Sequence, residues 1–161
     1  MHAITTLELT REVTPESLRE CSVFGALSLD AVRFLIQEGK GYRLEPNDRL
    51  FDYGDRGDSF FVVLSGAIEF YARYFDSYSY TRTACFGDEI GYVAMIALHD
   101  RSGRAIAREE SLVLEISAAL YSDLHDRYPF DFGVIVLNLA RNMARLIRSL
   151  SEELAIQRLK R

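Results

Sequence analysis

At 161 residues, 48% of them hydrophobic, the chain is long enough for one domain with a real core and has an ordinary globular composition. It has no low-complexity tract, internal repeat, secretory-type start or run of about 18 apolar residues, which excludes a membrane span and sets the cytoplasm as the expected compartment. A net charge of −5 argues against a nucleic-acid surface over the whole chain, although residues 131–161 alone hold six Arg or Lys against three Asp or Glu.

In chain order, residues 1–14 alternate weakly and read as a loose arm. Pro15, with Thr14 as N-cap, opens a short helix. Ser28 caps another through Gln37, with Leu29, Val32, Leu35 and Ile36 at helical spacing, and Gly39 and Gly41 stop it. From Gly41 to Ser117 the texture changes. Alternating or β-branched runs are broken by Pro46-Asn47-Asp48, Gly54-Asp55-Arg56-Gly57-Asp58, Ser65-Gly66 and Asp76-Ser77, the pattern of a small antiparallel barrel or sandwich. Phe70, Tyr71, Tyr74, Phe75, Tyr78 and Tyr80 suit a half-buried hairpin; a base-stacking platform would need a basic groove that the acidic body lacks. Residues 118–128 read as a helix ended before Pro129. The longest helical pattern runs from about Phe130 to Arg158, where Val136, Leu139, Met143, Leu146 and Leu150 step by three and four. That seam fits a dimer helix, or a stripe packed on its own barrel. The expected class is mainly β with helices (α+β): an arm over 1–14, a β domain with flanking helices over 15–130, and a long helix over 131–161.

The chemistry concentrates between Phe86 and Ser117. Glu89, between Gly87 and Gly91, opens an apolar run from Ile90 to Leu98 that reads as a short helix and delivers Arg101-Ser102 to the start of a strand. Free N–H groups at a helix start attract phosphate oxygens, and a guanidinium adds charge and a two-pronged donor. Ile90, Gly91, Tyr92, Arg101 and Ser102 thus form a candidate anion cradle. A carboxylate beside it makes sense as the acceptor of a hydroxyl from a sugar attached to the phosphate. Gly91 inside a helical start costs about 1 kcal/mol unless a close backbone approach requires it.

This segment resembles the phosphate-binding cassette of cyclic-nucleotide-binding domains, known from bacterial catabolite activator proteins and protein kinase regulatory subunits. The likeness continues in register through Ala107 and Val113-Leu114-Glu115-Ile116-Ser117. Upstream, Asp52-Tyr53-Gly54-Asp55 and the run Phe60 to Gly66 are similar to the family's turn and strand–Gly–strand corner; downstream, Leu137 to Arg145 resembles its C-terminal helix. The resemblance covers roughly residues 20–155 and implies an eight-stranded, jelly-roll-like double-stranded β-roll with N-terminal helices and a long C-terminal helix that covers the ligand. It implies a non-enzymatic sensor without catalytic residues, metal or catalytic cofactor, whose ligand is cyclic AMP or cyclic GMP. Glu89 would accept the ribose 2′-hydroxyl, Arg101 and Ser102 would hold the cyclic phosphate, and Ile90, Gly91 and Tyr92 would present backbone N–H groups. Leu150 would lie on the purine face and Ser151 would touch the base.

The sequence departs from that pattern in three places. Asp88 stands where the family has glycine before its glutamate, so Gly87-Asp88 can also be aligned there, making Asp88 the ribose acceptor. The separation of Glu89 from Arg101 exceeds the family's usual one, and Arg104 replaces a small or β-branched residue. These departures keep open a second reading, a β-roll without ligand that serves as an interaction or dimerisation module. The family's transcription factors continue into a helix-turn-helix domain; this sequence ends at Arg161, so no direct DNA contact is expected and the signal would pass to a protein partner. Elsewhere, Arg56-Gly57-Asp58 reads as a turn, Cys21 and Cys85 as reduced thiols, and His2, His99 and His125 share no metal spacing with them. Arg141, Arg145 and Arg148 form a basic stripe at helical spacing.

Overall fold

The computed structural model describes residues 1–159, so Lys160 and Arg161 of the expected terminal helix lie outside the described residues. The stretch expected as a loose arm is ordered instead. Its first strand, β1 (His2–Ile4), pairs antiparallel with β2 (Lys40–Leu44), and helix α1 (Thr6–Glu12) follows. The reason is a capping box: the Thr5 hydroxyl accepts from the Glu8 N–H at 3.2 Å, and the Glu8 carboxylate accepts from the Thr5 N–H at 2.7 Å. Buried Leu9 then docks α1 on the core. Thr14 and Ser17 build the same kind of cap on α2 (Pro15–Leu18), and Ser28 accepts from the Ala31 N–H at the start of α3 (Leu29–Glu38).

The β region continues with β3 (Arg49–Phe51), β4 (Ser59–Ser65), β5 (Ile68–Tyr74), β6 (Ser77–Ala84) and the two-residue β7 (Glu89–Ile90). After α4 (Tyr92–Ala97) come β8 (Gly103–Ala107), β9 (Ser111–Ser117), α5 (Ala118–Arg127) and α6 (Pro129–Leu159). The strands form two antiparallel sheets, ordered β1-β2-β9-β4-β7 and β3-β8-β5-β6. The eight strands implied by the resemblance thus become nine among the described residues, with β1 drawn from the N-terminal stretch.

The run from Phe60 to Leu64 is apolar without interruption because β4 is covered on both faces. Phe60, Val62 and Leu64, with Leu112, Leu114 and Ile116 of β9, pack beneath the helices. Phe61 and Val63 turn the other way and join Phe51, Ile68, Ala105, Ala107 and Val113 between the two sheets. The β4–β5 corner needs Gly66, whose φ is +76° and whose added Cβ would come within 2.3 Å of the Glu110 carbonyl. The aromatic hairpin forms, with Tyr71 paired to Tyr80 across β5 and β6, their rings 5.9 Å apart and edge to face. Tyr74, Phe75 and Tyr80 are exposed, however, and only Phe70, Tyr71 and Tyr78 are half-buried.

Helix α6 starts at Pro129, whose fixed φ suits a first helical position, and spans about 46 Å. Its near half is tied to the N-terminal helices. The Asp131 carboxylate accepts from the Ser28 N–H and hydroxyl at 2.6 and 3.0 Å, and Asn138 Nδ2 donates to the Val23 and Gly25 carbonyls. The apolar seam does not present one outward face. Leu139 is buried in the core and Met143 packs against it, whereas Val136 is exposed. From Ile147 through Leu159 every residue is exposed. No described helix is long and apolar enough to cross a membrane.

Candidate functional site

Strand β7 and helix α4 meet at Gly91, which takes φ +88° and caps the helix. The expectation that Glu89 opens this helix is corrected here. Glu89 and Ile90 are held in strand conformation by pairing with Val62 and Phe61 of β4, so the helix starts only after the glycine, at Tyr92. Counted from that start, the long separation to Arg101 disappears. The residue that directly follows the capping glycine, where the resemblance calls for a glutamate, is Tyr92.

Arg101 lies at the foot of this junction and is only 3% exposed. Its Nη1 donates to the Gly91 carbonyl at 2.7 Å, and its Nη2 donates to the Ser59 carbonyl at 2.8 Å and contacts the Ser59 hydroxyl at 3.2 Å. The guanidinium lies over the Phe51 ring, 4.5 Å from its centre. The Asp52–Asp55 turn clasps the Arg101 backbone: its N–H donates to the Asp55 carbonyl at 2.8 Å, and its carbonyl accepts from the Gly54 N–H at 2.9 Å. That turn is locked by the Asp55 carboxylate, which accepts from the Asp52 N–H at 2.7 Å.

No carboxylate among the described residues forms an ion pair with Arg101, and its buried Nε has no hydrogen-bond partner. Burial lowers its pKa, opposed at longer range by Asp58, Glu115 and Asp55. An arginine nevertheless stays charged, so this is a buried cation that lacks an anion.

Arg101 opens onto a cavity of about 680 Å³, its mouth included. Phe51, Phe70 and Ile90 form apolar wall, Gly91 to Ala94 supply the first turn of α4, and Thr81, Arg82 and Ser102 add polar groups. Leu146 and Leu150 of α6 close it from the far side. Six expected residues therefore come together here: Ile90, Gly91, Tyr92, Arg101, Ser102 and Leu150. Ser151 does not; it is exposed, and its hydroxyl donates to the Ile147 carbonyl at 2.8 Å. Arg104 also lies outside, with its guanidinium stacked 3.2 Å from the centre of the Tyr78 ring.

Glu89 is 5% exposed and lines an adjoining cavity with Ser22, Arg82, Asp88, Tyr92, Asn142, Arg145 and Leu146. Its carboxylate accepts from Asn142 Nδ2 at 3.0 Å and from the Ser22 hydroxyl at 3.3 Å. Desolvation pushes its pKa up, against the lowering effect of Asn142 and Arg82. Asp88 accepts from the Cys85 N–H at 2.9 Å. Arg82, Tyr92 and Leu146 belong to both cavities, and Arg82 donates to the Glu89 carbonyl at 2.9 Å.

Sequence reasoning missed Arg82, Thr81, Phe51 and Phe70 as cavity residues, and it read Leu146 only as a seam position. A lone arginine within the tyrosine- and threonine-rich stretch Ser77–Ala84 was the available signal for Arg82. Nothing in the sequence showed that β3 and β5 bring Phe51 and Phe70 beside Arg101.

Comparison with known proteins gives the same picture. A structure of a cyclic nucleotide-binding domain from Methylobacillus flagellatus matches with TM-score 0.80 and 19% identity over 93% of this chain and 84% of that one. The catabolite activator protein of Thermus thermophilus matches with TM-score 0.72 and 22% identity over 84% of this chain and 62% of its own. The regulatory subunit of a cAMP-independent protein kinase A from Trypanosoma brucei matches with TM-score 0.74 and 16% identity over 92% of this chain and 53% of its own. The chain thus spans less than two thirds of the last two, and at these identities the likeness is one of fold. No curated protein sequence matches. The family model described as "Cyclic nucleotide-binding domain" matches residues 42–128, more than half of the sequence. The chain belongs to the cyclic nucleotide-binding domain family.

Proposed function

We propose that the chain is a non-enzymatic sensor that binds a cyclic nucleotide, cyclic AMP in the first instance, and relays the event through α6 to a protein partner. The carrying observation is Arg101, a buried cation with an unpartnered Nε and no carboxylate, placed beneath the first turn of α4. Leaving a buried charge uncompensated costs several kcal/mol, and a cyclic phosphate supplies the missing anion. The first-turn N–H groups of α4 have no intrahelical acceptors and can donate to the same phosphate. Phe51, Phe70, Leu146 and Leu150 offer an apolar seat for the purine. The polar side chains Thr81, Arg82, Arg101 and Ser102 offer hydroxyl and guanidinium donors suited to holding an anion.

The relay follows from α6. From Ile147 through Leu159 every residue is exposed, and an isolated segment of that length is marginal in water. A ligand that contacts Leu146 and Leu150 favours whichever helix position covers it, and that differential contact is the signal. The exposed Val136, Ile147 and Leu154 give the same helix an apolar outer face for a second copy of the chain. A second reading, a β-roll that only docks proteins, draws support from the position of Glu89 outside the ligand cavity.

Isothermal titration with cyclic AMP and then cyclic GMP tests the sensor reading. Saturable micromolar or tighter binding that disappears in Arg101→Ala is expected. Silence toward both nucleotides, or unchanged affinity in Arg101→Ala, would overturn it in favour of the docking module.

A further inference from the structure

Among the described residues, no acid lines the cavity that holds Arg101. Its described polar side chains are Thr81, Arg82, Tyr92, Arg101 and Ser102. The two acids nearest in sequence are engaged elsewhere. Glu89 faces the adjoining cavity, where Asn142 and Ser22 donate to its carboxylate, and Asp88 accepts from the Cys85 N–H. A sugar hydroxyl beside a phosphate bound at Arg101 therefore meets no carboxylate. The residue that directly follows the capping glycine is Tyr92, which lines both cavities and is 2% exposed. Burial and the nearby Glu89 raise the pKa of this phenol and keep it neutral. A neutral phenol is a weaker acceptor than an ionised carboxylate.

We infer that this site reads the phosphate and the base of its ligand but not the sugar hydroxyl. Its ligand class is purine cyclic phosphodiesters with or without a 2′-hydroxyl, and Tyr92 is the residue that sets this tolerance. The inference rests on the sensor reading above. It follows from geometry: strand pairing at Glu89–Ile90 fixes the carboxylate three positions ahead of the helix start and on the side of α6.

The test is titration of the full chain with cyclic AMP and with 2′-deoxy cyclic AMP. An affinity ratio below about fivefold is expected, because a hydroxyl bonded to a carboxylate contributes roughly tenfold or more. In Tyr92→Glu, which sets an acid directly after Gly91, the ratio should rise to about tenfold in favour of the ribose form. A wild-type ratio above fivefold overturns the inference and leaves the sensor reading intact, since an acceptor must then reach the sugar. Wild-type silence toward both ligands overturns the sensor reading and this inference with it. The wild-type comparison decides the matter even where the variant fails to fold.

Discussion

The Gly91 carbonyl accepts from Arg101 Nη1 at 2.7 Å, and a Cβ added to Gly91 would stand 2.5 Å from that same nitrogen. One glycine thus has two jobs. Its φ of +88° turns a strand into a helix, and its missing side chain leaves room for the cation that the helix start sits over.

Gly91→Ala should therefore damage both fold and site. A non-glycine residue at this φ costs about 1–3 kcal/mol, and the added methyl also meets the Arg101 Cζ at 3.2 Å and the Phe51 ring at 3.4 Å. Relief requires the guanidinium to move. The expected result is a lowered Tm together with at least about tenfold weaker nucleotide binding, since one charge-assisted hydrogen bond is at stake. Wild-type affinity in this variant would show that the position of Arg101 does not govern the ligand.

Arg101→Met separates stability from binding. The substitution removes a buried cation, which favours the folded state, but leaves the Gly91 and Ser59 carbonyls without their donors. These terms oppose each other, so stability should stay within about 2 kcal/mol of wild type in denaturant titration. The ligand-induced rise in Tm should vanish. A large rise that persists would place the phosphate elsewhere.

The sequence carried the sheets well because alternation and turn residues are local signals. Ser65-Gly66 as a turn, Ser28 as a cap and Pro129 as a boundary each follow from a few neighbouring residues. Arg101 and Ser102 were legible for the same reason, as a pair at the mouth of β8. Glu89 was misplaced because the stop between β7 and α4 depends on pairing with Val62 and Phe61, residues distant in sequence. Helical periodicity runs through Gly91 as though nothing happened there. The arm over 1–14 was missed because the capping box at Thr5 and Glu8 was overlooked, although its spacing is plain. The seam on α6 left two readings open because its five positions divide between the core, the cavity and solvent, a division that only the packed barrel creates.

Glu89→Gln should alter the pH dependence of stability. The folded carboxyl is pushed above its ordinary value near 4.5 by desolvation, so the folded state holds a proton that the unfolded state releases. Stability linked to this group is greatest below about 4.5 and falls as pH rises through the folded value. Arg82, Asp88, Tyr92 and Arg145 face the same cavity, and Asn142 and Ser22 supply the hydrogen bonds. Glutamine keeps the acceptor for both donors and abolishes the titration. The Tm of the variant relative to wild type should therefore rise as pH increases from about 4.5 upward. A gap that is constant with pH would mean that Glu89 is ionised in the folded state at all of these values.

Adjacent residues on α6 should give opposite phenotypes. Leu146 is half-buried and lines both cavities, whereas Ile147, one position on, is 59% exposed on the outer face. Leu146→Glu places a carboxylate beside the phosphate and purine seat, and like charges set close together cost enough to weaken binding at least about tenfold. It should leave self-association unchanged, because the side chain points inward. Ile147→Glu does the reverse: nucleotide affinity is kept, and a dimer built on Val136, Ile147 and Leu154 separates as two new carboxylates meet across its axis. Light scattering and titration on both variants read the two effects independently. If Leu146→Glu dissociates a dimer while Ile147→Glu does not, the self-association face is the inward one, and α6 must leave its own barrel to form it.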